Sequence, residues 1–226
     1  VFSTRSAIAE RSIVSEGTLA FHLCHDGIYV YDGTQAQLLG GERIKTYFTS
    51  LNQAALPGAC AEVYNDRLYM AVPEGTSTVN NAVIEYDILN DSFMIRRGLQ
   101  ITQFLEYDDK LLFCAPNGYV YAFDEGTRQD GSDIKAVYEP PWEDLGRRDL
   151  TKTLIEFYAV AEGKGRLLIT LITDTMRRRY LVDLPRQAEV IRLPVFAEGR
   201  RFKLKFENVA GSTLMLSRPQ LKYEVR

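Results

Sequence analysis

The chain has 226 residues, 46% of them hydrophobic and 25% charged, with a formal net charge of −3. Those values suit a globular protein with one large or two small cores, and they argue against a chain built to coat nucleic acid. No apolar run approaches the roughly 20 residues that a membrane-spanning helix needs, so no membrane partner is expected.

Thirteen Tyr and 11 Phe against one Trp is the aromatic balance of a strand-rich protein. Three cysteines, Cys24, Cys60 and Cys114, are odd in number, widely spaced and set among apolar residues. They read as small buried strand residues rather than as a disulfide framework. Val1 to Ala7 look strand-like and lack the basic-then-apolar order of a signal peptide. The expectation is a fragment, or a processed product, whose first repeat is cut.

Leu19–Cys24 is an apolar run, His25-Asp26-Gly27 a turn, and Ile28–Tyr31 a returning strand closed by Asp32-Gly33. Within Glu42–Leu51, residues Ile44, Tyr47, Phe48 and Leu51 fall at i, i+3, i+4 and i+7, which predicts one helix. The strand grammar then returns. Glu62–Tyr64 leads in, Asn65-Asp66 turns, and Arg67–Val72, Ala82–Ile88 and Ser92–Arg96 follow as strands. It returns again in Phe104–Gly126, where Asn117-Gly118 between two apolar runs predicts a hairpin with a primed turn. The three units centre near the roughly 40 to 50 residues of a four-stranded propeller blade. A plain antiparallel meander is the alternative.

Glu139-Pro140-Pro141-Trp142 breaks the repeat, so a boundary is placed there: blades over 1–138 and a second domain over 139–226. Strands are expected at Lys152–Ala161, Arg166–Thr173, Tyr180–Leu184, Glu189–Leu193, Arg200–Glu207, Leu214–Leu216 and Leu221–Val225. Six or seven antiparallel strands without a helix predict a β-sandwich. The fold class expected is therefore all-β, with propeller-like blades, a C-terminal sandwich and one short helix.

Few residues suggest chemistry. His22 and His25 flank Cys24, but no further ligand stands at metal spacing. Asp124, Glu125, Asp130 and Asp133 are oxygen-rich without the spacing of a calcium loop. Asp26, Asp32, Asp108 and Asp109 sit at repeated turn positions, where Asp bonds its own backbone, so they read as turn residues rather than as paired glycosidase acids. No nucleophile elbow, phosphate loop or dinucleotide fingerprint occurs. No cofactor, metal or catalytic residue is assigned, and the chain is expected not to be an enzyme. Candidate interaction loops are marked by Arg96, Arg97, Arg147, Arg148, Arg177, Arg178 and Arg179, and by Tyr119 and Tyr121.

Asp26–Gly33 followed by Ile44–Phe48, then Tyr64–Pro73 with Asn80-Asn81 and Val83–Asp87, then Asp108–Gly126, resemble successive blades of propeller-containing virion proteins of tailed phages and prophages. Trp142–Gly146 with Thr151–Leu154, and Gly199–Phe202, are similar to the C-terminal β-domain of those proteins. Only about three blades are visible, fewer than a closed propeller has. The resemblance implies a virion component of the tail or head–tail connector, docking to other virion subunits and open to self-association. The alternative is a carbohydrate-binding or host-surface adhesin using Tyr119/Tyr121 or Tyr47/Phe48; a propeller hydrolase or lyase stands behind it.

Overall fold

In the computed structural model, residues 6–129, 131–209 and 211–225 are described. The protein is all-β, with one short helix and several antiparallel sheets. It divides into two compact units, Val1–Glu125 and Gly126–Arg226.

Unit 1 holds three blade-like sheets. The first has β1 (Val14–Glu16), β2 (Leu19–Cys24), β3 (Gly27–Tyr31) and β4 (Ala36–Leu38) in sequential order. Helix α1 (Glu42–Phe48) follows, with Ile44 and Phe48 buried, as the helical spacing predicts. The second sheet has β5 (Cys60–Tyr64), β6 (Arg67–Val72), β7 (Ala82–Asp87) and β8 (Ser92–Arg97). The third has only β9 (Gln103–Tyr107), β10 (Lys110–Cys114) and β11 (Val120–Ala122).

Period-2 alternation sends one face of each sheet to each neighbour. Phe21, Leu23 and Ile28 of the first sheet share a core with Leu68, Met70 and Ile84 of the second. Tyr69, Ala71 and Val83, on the second sheet's other face, share a second core with Phe104, Leu111 and Phe113 of the third and with Phe123 just past β11. The hairpins are not all of the expected kind. In the Asn117-Gly118 turn only Gly118 has positive φ (84°), so this loop is longer than a primed two-residue turn. Its Ala115 N–H donates to the Tyr119 carbonyl and its Gly118 N–H to the Ala115 carbonyl. The primed geometry occurs instead at Asn65-Asp66 (51° and 57°) and Asp108-Asp109 (54° and 53°), because Asn and Asp tolerate the left-handed region.

Unit 2 begins with β12 (Arg128–Gln129), β13 (Ser132–Asp133) and β14 (Val137–Tyr138). Next come β15 (Lys152–Lys164), β16 (Arg166–Thr173), β17 (Arg177–Asp183), β18 (Glu189–Gly199), β19 (Phe202–Asn208) and β20 (Thr213–Val225). Two sheets, ordered β14–β19–β16–β17 and β18–β15–β20, enclose one core. Leu154, Phe157, Val195 and Ala197 meet Leu167, Ile169, Leu171, Phe202 and Phe206 there, which makes a β-sandwich. The division after Glu125 differs from the expected 138 because Val137 and Tyr138 pair with Glu207 and Phe206 inside this sandwich.

Both strands flanking β15 carry a proline and a bulge. Against β15, the register of β18 slips between Leu154 and Glu156, next to Pro194, and that of β20 slips between Tyr158 and Val160, next to Pro219. β18 and β20 are the edges of this sheet, where a missing N–H breaks no inner ladder. Hence the two strands expected at Leu214–Leu216 and Leu221–Val225 run on as one, and β18 continues six residues past Leu193.

Candidate functional site

Most residues singled out by sequence turn out to hold the fold. Arg96 and Arg97 lie on β8 rather than in a loop. Arg96 Nε meets Glu85 Oε2 at 2.6 Å and its Nη1 meets Asp124 Oδ1 at 2.5 Å, with the guanidinium 5.3 Å from the Phe123 ring centre. Arg67 closes on the other Glu85 oxygen at 2.8 Å. Arg97 pairs with Glu74 at 2.6 Å. Arg147 and Arg148 do lie in a turn, each paired locally, with Asp149 at 3.6 Å and Asp144 at 3.2 Å.

Tyr119 is exposed, while Tyr121 is half-buried, stacked on Phe113 and bonded by Asn117. Phe48 is core and the Tyr47 hydroxyl is buried, its pKa pushed up to about 12 by burial first and then by the Glu74 charge. Tyr47 and Phe48 therefore offer no exposed aromatic platform, which corrects that expectation.

His22 stacks on Tyr29, and His25 Nδ1 lies 3.1 Å from Gln53 Oε1. Asp32 accepts from the Thr34 hydroxyl and from the N–H groups of Gln35 and Thr34, which lower its pKa to about 2. Glu125 pairs with Lys110 and Asp133 with Arg128; Val1 to Arg5 and Asp130 lie outside the described residues. Cys60 and Cys114 are free thiols on strands, Cys24, also on a strand, donates to the Ser6 carbonyl at 3.3 Å, and burial pushes Cys60 up to about 12.

A concave feature lies in the sandwich, at residues that carry no site motif in the sequence. A cavity of about 610 Å³ is lined by Thr151, Thr153, Asp174, Thr175, Phe196 and Arg200, among others. Phe196 is 62% exposed between buried Val195 and Ala197, and its φ is +40°. A bulky residue in that region is strained, and such strain persists only where the surroundings impose it. The surroundings are plain. Pro194 and the bulge displace the chain, and the Val195 carbonyl accepts from Tyr180 Oη at 2.9 Å and from Arg178 Nη1 at 3.2 Å. The arginine triplet is thus divided by strand alternation: Arg178 reaches inward to clamp the bulge, while Arg177 and Arg179 point the other way. A phenylalanine two residues past a proline in an otherwise apolar strand was the available signal.

The polar wall is equally fixed. Asp174 Oδ1 accepts the Arg200 N–H at 2.8 Å. Burial pushes this carboxyl up, but the N–H groups of Arg200 and Arg201 and the Arg201 charge outweigh it and hold the pKa below the usual range. Thr175 Oγ1 donates to the Glu198 carbonyl at 2.9 Å. Gly199 permits the close approach, since a Cβ there would stand 2.5 Å from Asp174 Oδ1 and 2.8 Å from Thr173 Cβ. Lys152, fully buried, donates to the carbonyls of Arg147 and Arg200, the second at 2.9 Å. An exposed aromatic face beside carboxylates, hydroxyls and a guanidinium can hold a ring that is apolar on one side and hydroxylated at its rim.

No protein-family model and no curated protein sequence matches the chain. Among solved structures, it matches an exo-β-1,3-galactanase from Phanerochaete chrysosporium with galactose, at 11% identity and a TM-score of 0.33, covering 95% of this chain and 67% of that one. An alanine variant of that enzyme with β-1,3-galactotriose matches at 11% identity and a TM-score of 0.31, covering 93% and 68%. The expectation that the chain is not an enzyme is corrected here: the solved folds it matches belong to a glycoside hydrolase, so that exclusion is withdrawn. Likeness at this level carries no activity, substrate or residue across, and none of it bears on the phage resemblance.

Proposed function

We propose that this chain binds carbohydrate and that the cavity beside Phe196 holds the sugar. The observation that carries the reading is Phe196 itself: a phenyl ring kept exposed at positive φ, on a clamped bulge, at the rim of a cavity whose lining includes threonines, two carboxylates and an arginine. A surface free of function would relax that strain or bury the ring. The ring stacks on the C–H face of a pyranose, while Thr151, Thr153 and Arg200 meet its hydroxyls and the carboxylates accept from them. The site is built on strands whose positions other groups fix, so little ordering cost falls on binding.

Phe196→Ala is expected to weaken binding of neutral β-linked oligosaccharides about tenfold, corresponding to about 1.4 kcal/mol of aromatic contact. Its melting temperature should stay level, because the ring supports no core. Titration calorimetry across a panel of neutral oligosaccharides checks both. Absence of millimolar binding to every member, or equal affinity of the variant, would sink the reading.

A further inference from the structure

Arg177 and Arg179, left over from the arginine triplet, belong to a second feature. Alternation along β16 turns Leu167, Ile169 and Leu171 into the core and leaves Leu168, Thr170 and Ile172 on the outer face. The register sets Arg179, Thr170 and Lys205 in one row across three strands, and Arg177, Ile172 and Lys203 in the next. Two strand spacings and two residues place the four cations at the corners of a rectangle about 10 Å by about 7 Å. Trp142 adjoins it, with Arg201 at 5.7 Å and Lys203 at 5.9 Å from its ring centre.

Five cations stand there against three carboxylates, since Asp174 already lies within reach of the Arg201 charge. Glu139 meets Lys203 at 2.6 Å and Glu207 meets Lys205 at 2.8 Å. Among the described residues, Arg177 and Arg179 make no ion pair, and both are exposed on the edge strand. At the centre of the patch, the Thr170 hydroxyl is fully buried and has no hydrogen-bond partner. Buried hydroxyls are normally satisfied, and this one lies between two cations.

We infer that this outer face binds the acidic groups, carboxylate or sulfate, of a polysaccharide. The spacing of the cations suits anionic groups that repeat along a chain, with Trp142 offering a ring for an intervening sugar and the Thr170 hydroxyl donating to one anionic oxygen. Arg177 follows Met176 of the cavity lining and Arg201 follows Arg200, so both sites share the turns at 173–177 and 199–201. That the ligand is a saccharide rests on the function proposed above; that it is an anion does not.

The test measures binding of polygalacturonate, its methyl ester, heparin and a single-stranded oligonucleotide to the full chain, at low and moderate salt. Expected are tight binding of polygalacturonate or heparin at low salt, weakening at least tenfold as salt screens the face, and weak binding of the ester. Arg179→Glu with Lys205→Glu should abolish polyanion binding and leave neutral oligosaccharides at the Phe196 cavity untouched. Arg177→Gln with Arg179→Gln, two exposed side chains, serves if that pair fails to fold. Thr170→Val should fold as well as the parent and bind polyanion several-fold more weakly. Polyanion binding that survives these changes, no polyanion binding at low salt, or an oligonucleotide that binds as tightly as heparin overturns the inference. Failure of the Phe196 cavity alone would appear as loss of neutral-sugar binding with the charge-dependent binding intact.

Discussion

Replacing Glu85 with alanine is expected to cost unit 1 about 3 kcal/mol, toward the lower end of the range for removing one partner from a buried ion pair. Glu85 is only 4% exposed, and both its oxygens are engaged, by Arg67 at 2.8 Å and Arg96 at 2.6 Å. Its loss leaves two guanidiniums, with unequal consequences. Arg67 is 44% exposed at its side chain and rehydrates, whereas Arg96 is 25% exposed and keeps only Asp124. Because Arg96 also lies over Phe123, the damage should spread to the packing of the second sheet on the third. Hydrogen exchange resolved by segment should show lost protection in β7, β8 and β11, and denaturant should unfold unit 1 at a lower midpoint. Glu85→Gln, which keeps shape and one acceptor, should cost about half as much. A Glu85→Met, Arg96→Leu pair should restore most of the stability, since apolar replacements of similar volume often match a buried ion pair. An alanine variant as stable as the parent would show that Glu85 is not the tie between these sheets.

The contrast between Glu85 and the arginines explains what the sequence could tell. Blade grammar was legible because it rests on local rules: alternation, Asn and Asp at positive φ, and the helical spacing of Ile44 and Phe48. Side-chain roles were not legible, because they depend on which strand lies opposite. Arg96 looked like a loop cation until the register of β7 against β8 put Glu85 within reach. The triplet at 177–179 looked uniform, yet one member clamps a bulge and two face outward. The expected strands leave out Pro194 and Pro219; at the edges of a three-stranded sheet both prolines sit in bulges within longer strands, and one of those bulges displays Phe196. The pairing of Val137 with Glu207 spans 70 residues and leaves no local trace, so the sequence does not show that this strand joins the sandwich.

Lys152 gives the sandwich the same kind of dependence. It is fully buried at the start of β15, and its ammonium donates to the carbonyls of Arg147 and Arg200 while lying 6.0 Å from the Phe202 ring centre. No carboxylate makes an ion pair with it among the described residues; the two carbonyls and the ring hold the ammonium, and Asp144 feels its charge from farther off. Lys152→Met keeps the length and the packing of the stem but takes the ammonium donor from the Arg200 carbonyl and leaves the Arg147 carbonyl only the Leu150 N–H at 3.4 Å, at about 1 to 3 kcal/mol for a buried group left unsatisfied. Removing the ammonium also relieves its own desolvation, which offsets part of this. The net expectation is a loss of about 2 kcal/mol from unit 2, read as a lower melting temperature or denaturant midpoint. The Arg147 carbonyl belongs to the 144–151 turn and the Arg200 carbonyl to the turn that Asp174 holds, so both walls of the cavity should loosen together. Neutral oligosaccharide binding should therefore weaken in Lys152→Met even at temperatures where the sandwich is fully folded. Thr153→Val, at the cavity wall but outside this network, should leave the melting temperature unchanged. A Lys152→Met protein with parental stability and parental affinity would show that the two turns are held by other contacts.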